Sequence, residues 1–264
     1  MSNGDARIDV EITGNGDDTV VLIHGFPLSR EIWSAQVRAL SGRVRVVAMD
    51  LRGMGASSVT DGPYLMESLA GDVAAVLDAL AVERASLVGH SLGGYVALAF
   101  ARMYVERLDR LALVCSRITA DEPERAAHRF ELADDAELRG SSERIITEML
   151  EGTLGATTRR QRPQIVETFR KIAEKNDPRG LAAMLRGMAL RDGAHDIAGD
   201  LTMPVLVVAG TEDPGIQAAE AALTAAAFRS GSLAMLEGSG HVPMLEQPDG
   251  LSERLLDWLS LTGE

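Results

Sequence analysis

The sequence is poor in several things, and each scarcity narrows what the chain can be. It has one cysteine, Cys115, in 264 residues, which excludes an internal disulfide framework and any cysteine-built zinc cluster. Aromatic residues are only 4% of the chain, with two tryptophans, Trp33 and Trp258. No apolar run approaches the 18 or more residues of a membrane span. The opening residues Met1 to Arg7 lack the apolar core of a secretory signal, so a cytoplasmic location is the expectation. Positive charge is scarce as well: 26 Lys/Arg stand against 39 Asp/Glu, a formal net charge of −13. That excess repels phosphate backbones and anionic lipid, so neither nucleic acid nor a membrane is expected as a partner.

The acidity is uneven. Residues 117–195 hold 14 basic and 14 acidic side chains, while the rest of the chain holds 12 and 25. A segment of different surface character therefore interrupts an acidic body.

The hydrophobic pattern marks the same segment. Thr19–Ile23 is a continuous β-branched run, as a strand buried on both faces requires. Similar runs lie at 44–49, 85–88, 108–115 and 205–209, with a weaker one at 232–236 and an alternating polar–apolar stretch at 6–12. Helical spacing separates them, at 29–40, 66–80, 92–103, 215–228 and 251–259. Strands alternating with helices give an α/β fold with a mostly parallel sheet covered on both faces. From Arg117 to His195 the strand pattern lapses into helical periods broken by Pro and Gly. We read 1–116 with 196–264 as the core and 117–195 as an inserted helical cap.

Gly89-His90-Ser91-Leu92-Gly93 follows one buried run and opens a helical pattern. A serine on so sharp a strand-to-helix turn presents its hydroxyl at the sheet edge, and the flanking glycines relieve the crowding. A serine nucleophile needs a base, itself oriented by an acid, and in this arrangement they follow in the order acid, then histidine. His241, in a Gly-rich loop after the last weak strand, stands where the base belongs. Asp213 follows the 205–209 run; Glu212 is its neighbouring competitor, expected at the surface. The main-chain N–H groups of Phe26 and Leu92 would form an oxyanion hole. His24 is expected to brace its loop and take no part in proton transfer.

Five ordered motifs carry a resemblance: His24-Gly25-Phe26-Pro27, Asp50-Leu51-Arg52-Gly53-Met54-Gly55-Ala56-Ser57, Gly89-His90-Ser91-Leu92-Gly93-Gly94, Gly210-Thr211-Glu212-Asp213-Pro214 and Gly240-His241. Together they resemble the α/β-hydrolase superfamily over nearly the whole chain. The resemblance implies an eight-stranded sheet with a cap between strands six and seven. Within it, His-Gly-Phe-Pro-Leu-Ser with Trp33 is similar to small bacterial esterases, 3-oxoadipate enol-lactonases and cofactor-free haloperoxidases (perhydrolases). A serine where haloalkane dehalogenases and epoxide hydrolases need aspartate argues against those branches.

The resulting expectation is a serine hydrolase of a small ester, thioester or lactone, without cofactor or metal. No G-x-G-x-x-G follows a strand, and Glu122 and Asp134-Asp135 read as solvated charges. Phe130, Met149, Leu150, Leu154, Phe169, Met184, Leu185 and Met188 suggest a mainly apolar acyl pocket. Arg159, Arg160 and Arg162 read as exposed surface. The same constellation would serve a perhydrolase or a lyase, and the scaffold a non-catalytic binding protein. The sequence leaves a homo-oligomer open.

Overall fold

The computed structural model describes residues 1–260. The chain opens with a detached two-stranded hairpin, β1 (Ser2–Asn3) with β2 (Ala6–Arg7). Then come β3 (Val10–Thr13), β4 (Thr19–Ile23), α1 (Ser34–Leu40), β5 (Arg45–Met49), α2 (Met66–Ala79), β6 (Ala85–His90), α3 (Leu92–Met103) and β7 (Leu108–Val114). After six further helices the alternation resumes with β8 (Val205–Gly210). The six are α4 (Pro123–Arg139), α5 (Glu143–Thr153), α6 (Ala156–Gln161), α7 (Pro163–Ala173), α8 (Pro178–Ala189) and α9 (His195–Ala198). The chain continues with α10 (Ala218–Ala226), β9 (Gly231–Leu236), α11 (Pro243–Glu246) and α12 (Pro248–Ser260).

One seven-stranded sheet runs in the order β3-β5-β4-β6-β7-β8-β9, parallel except for β3, which pairs antiparallel with β5 at the edge. Seven strands replace the expected eight among the described residues. The stretch at 6–12 is not one strand. Gly4, at φ +58°, reverses the chain so that Ala6–Arg7 folds back on Ser2–Asn3, and only Val10–Thr13 joins the sheet.

The buried strands divide their side chains by parity, as a period of two demands. Val21, Ile23, Val47 and Leu87 face one core with α2 and α3; Val20, Leu22, Val46 and Val88 face the other with Trp33 and Trp258. Both faces being covered explains why these strands read as unbroken apolar runs. The register places Ile23 beside Gly89, His90 beside Val114, and Gly210 beside Leu236. The carboxyl ends of five parallel strands therefore finish along one edge, and the loops that leave it are brought together.

Between β7 and β8 the described residues form helices and no strand. Their apolar residues go chiefly to the two cores. Phe169, Ile172, Leu150 and Leu154 join the Trp33 side, and Met184 and Leu185 join the α2–α3 side.

Candidate active site

Ser91 sits where β6 becomes α3, with φ 49° and ψ −109°, a backbone conformation that non-glycine residues rarely adopt. The turn is forced by its neighbours. A Cβ on Gly89 would lie 2.3 Å from the Gly93 carbonyl oxygen, and one on Gly93 would lie 2.2 Å from that of Ile23. Side chains at either position would push the elbow off the sheet. The Ser91 N–H donates to Val114 O at 2.9 Å and its carbonyl accepts from Ser116 Oγ at 2.8 Å, so the strained residue is held on both sides.

The loop after β9 brings His241 to this serine: Nε2 and Ser91 Oγ are 2.9 Å apart. The other ring nitrogen, Nδ1, stands 2.8 Å from Asp213 Oδ2 in the loop after β8. Asp213 Oδ1 accepts from the N–H groups of Gly215 at 2.7 Å and Ile216 at 3.0 Å. Burial disfavours the charged form of Asp213. His241 and the two amides outweigh it, and the carboxyl is held below its ordinary range. The carboxylate thus fixes Nδ1 as the protonated nitrogen and leaves Nε2 able to accept the Ser91 proton.

Glu212 points elsewhere. Its carboxylate accepts from the Thr157 N–H at 2.7 Å and Thr157 Oγ1 at 2.5 Å, at the start of α6. The expected surface residue is instead a half-buried tie between the β8 loop and the helical segment. The Thr157 hydroxyl and amide hold its carboxyl below the ordinary range.

Neither the Phe26 nor the Leu92 N–H has an acceptor among the described residues. Leu92 opens α3, where the first N–H groups have no intrahelical partner. Phe26, 9% exposed, lines the cleft over Ser91. His24 is a brace: its Nδ1 donates to Gly25 O at 3.0 Å and its Nε2 accepts from the Leu51 N–H at 3.0 Å. Burial pushes its pKa down and keeps it neutral. His90 is buried too and pushed down to about 3, first by desolvation and then by His241; its Nε2 donates to His241 O at 2.8 Å. It steadies the loop of His241 through the backbone.

Ligating atoms of Cys115, Asp213 and His241 lie within 4.8 Å of one another. Burial raises the Cys115 thiol well above its ordinary value, so it remains a neutral S–H. With Asp213 already accepting from three donors, the trio is a hydrogen-bonded cluster and not an open ligand set.

Phe26, Tyr95, Ile216 and part of the helical segment line the cleft over Ser91. Its lining is apolar in the larger part, as expected, but it also carries charge that the sequence reading did not include. Of the eight apolar side chains expected there, Met149 and Met188 reach it, and Arg117, Arg125 and Arg129 stand beside them. Most of the others are spent on core packing. In the sequence Arg125 and Arg129 recur with Asp121 at four-residue intervals, a pattern that equally fits a solvated, self-paired helix face, and nothing in that spacing points to a cleft. Arg162, read as exposed surface, is half-buried and donates to Glu246 O and, at 2.7 Å, to Thr158 Oγ1.

Comparison with known proteins finds the model of the alpha/beta hydrolase family matching residues 20–254. The chain is 31% identical to the pimeloyl-[acyl-carrier protein] methyl ester esterase of Aeromonas hydrophila, covering 93% of this chain and 96% of that one. A malate-bound thermophilic esterase from Thermogutta terrifontis superposes with a TM-score of 0.93 at 35% identity, over 96% of this chain and 92% of that one. The enol-lactonase from Burkholderia xenovorans superposes with a TM-score of 0.90 at 27% identity, over 98% of each chain.

Proposed function

The chain belongs to the alpha/beta hydrolase family, and from that premise we propose that it is a serine hydrolase of small carboxylic esters, thioesters or lactones. Its esterase and enol-lactonase relatives support hydrolysis of esters or lactones in general. The continuous chain from Ser91 Oγ through His241 to Asp213, at 2.9 and 2.8 Å, supports the mechanism.

Ser91 Oγ attacks the substrate carbonyl while His241 Nε2 takes its proton. Asp213 holds the imidazole in the required tautomer and stabilises the imidazolium that forms. The carbonyl oxygen, now an oxyanion, accepts from the Phe26 and Leu92 N–H groups, each worth about 3–4 kcal/mol in the transition state. Collapse expels the alcohol or thiol, which takes the proton from His241; in a lactone the released hydroxyl stays on the acyl chain. Water then gives a proton to His241 and attacks the acyl-enzyme; collapse frees the acid and returns that proton to Ser91 Oγ. The helices of 117–195 serve as a cap over a core of 1–116 and 196–264, a reading supported by Met149, Gly152, Thr153 and Met188 facing Ser91 across the cleft.

An organophosphate should inactivate the protein at one equivalent and label Ser91. Ser91→Ala should retain the fold while losing turnover of p-nitrophenyl esters by about 10⁴-fold or more. A label on another serine, or full activity in Ser91→Ala, would refute the reading.

A further inference from the structure

A chain with a net charge of −13 places three arginines in the wall of this one cleft, and a fourth behind it. Arg191 lies over the ring of Tyr95, 3.9 Å from its centroid, and Tyr95 itself lines the cleft. Two carboxylates answer the four guanidiniums. Asp121, its side chain 1% exposed, meets Arg129 at 2.5 Å, Arg191 at 3.0 Å and Arg125 at 3.7 Å. Glu220 meets Arg117 at 3.2 Å, and Arg117 also donates to Gly215 O at 2.5 Å.

The four are not equivalent. Arg129, Arg191 and Arg117 each have hydrogen bonds that fix them. Arg125 has none among the described residues; its nearest partner is the shared Asp121 carboxylate, and its side chain remains 48% exposed at the cleft. The adjacent Arg129, which claims the same Asp121 carboxylate, repels its charge, so an incoming anion would relieve it. A planar guanidinium with unspent donors is shaped to receive a carboxylate through two parallel hydrogen bonds.

We propose that the substrate carries a carboxylate in addition to the ester or lactone carbonyl, and that Arg125, backed by Arg129, receives it. The class is short half-esters of dicarboxylic acids and lactones bearing a carboxylate. The site's place in turnover rests on the serine-hydrolase reading; its affinity for a carboxylate does not.

Methyl pentanoate and monomethyl glutarate match in chain length and differ in the terminal carboxylate. The glutarate ester should show a kcat/KM about tenfold higher at low salt, and added salt should erode the advantage. In Arg125→Gln the preference should disappear, and in Arg125→Lys part of it should remain. In parallel, calorimetry should show free glutarate binding the wild type and binding Arg125→Gln about tenfold more weakly. Equal turnover of the two esters, or a preference and glutarate affinity that Arg125→Gln leaves intact, would overturn the proposal. Arg125-dependent glutarate binding with no turnover of either ester would uphold the carboxylate site and overturn the serine-hydrolase reading instead.

Discussion

The two walls of the cleft are built on different principles. On the sheet side, backbone geometry sets every position: strand ends in register, a strained Ser91, and glycines whose replacement would collide with main chain. On the helical side, side chains set the surface, with methionines and arginines whose identities the helices do not require. Chemistry that needs atoms held to a few tenths of an ångström belongs on the first kind of wall. Selectivity, which changes with a single side chain, belongs on the second.

The sharpest test of the sheet side separates two adjacent acids. Asp213→Asn should lower kcat about 10⁴-fold, the scale expected when the orienting acid becomes an amide and the tautomer is lost. Glu212→Gln should leave kcat within a few-fold, because its carboxylate serves Thr157 and not His241. The reverse ranking would place the acid one residue earlier.

A smaller effect contrasts glycines on the two walls. Gly93→Ala forces a Cβ against the Ile23 carbonyl and should cost about 1–3 kcal/mol by urea unfolding. Gly152, in α5 and lining the cleft, has nothing within 4 Å of an added Cβ. Gly152→Ala should be neutral or gain up to about 1 kcal/mol. Equal losses at both sites would erase the distinction between the walls.

A further effect is in pH. His90 titrates near 3 when folded and near 6.5 when unfolded, so the unfolded chain binds the extra proton between those values. Its contribution is complete above about pH 6.5 and is lost as pH falls toward 3, by at most about 1.4 kcal/mol per unit. Wild type should therefore lose more stability than His90→Gln between pH 7 and 4.5, measured by denaturant midpoints. Equal losses would mean that His90 is already charged in the folded protein.

Both principles bear on what the sequence reveals. Thr19–Ile23, 85–88 and 205–209 are legible as buried strands because both faces are covered, and Ser91 is legible because a sharp turn demands glycines around it. His241 and Asp213 follow from the order of loops at strand ends. The split of 6–12 into a hairpin and an edge strand was not legible, since a φ +58° turn at Gly4 leaves the alternating pattern untouched. Nor was the division of the helical segment's apolar residues. Phe169 and Met149 look alike in a helical period, and only tertiary packing buries one in the core and leaves the other half-buried at the cleft.

The loop bearing His241 is stitched to the helical segment through main chain. The His241 N–H donates to Thr153 O at 2.8 Å, and Glu246 accepts from both Gly155 N–H, at 2.9 Å, and Val242 N–H, at 3.1 Å. A Cβ on Gly240 would lie 2.2 Å from Gly155 N. The segment is consequently not a detachable module, whatever its boundaries at 117 and 195 suggest. A graft from a relative would have to bring its own match for Thr153–Thr157 and for α8, whose Gly187 leaves no room for a Cβ against Tyr64 O, or keep both and exchange only α4. The helix carrying Arg125 and Arg129 is thus the part of the segment that can change with least consequence for Ser91 and His241, and the stretch seated on the histidine loop the part that must change together with it.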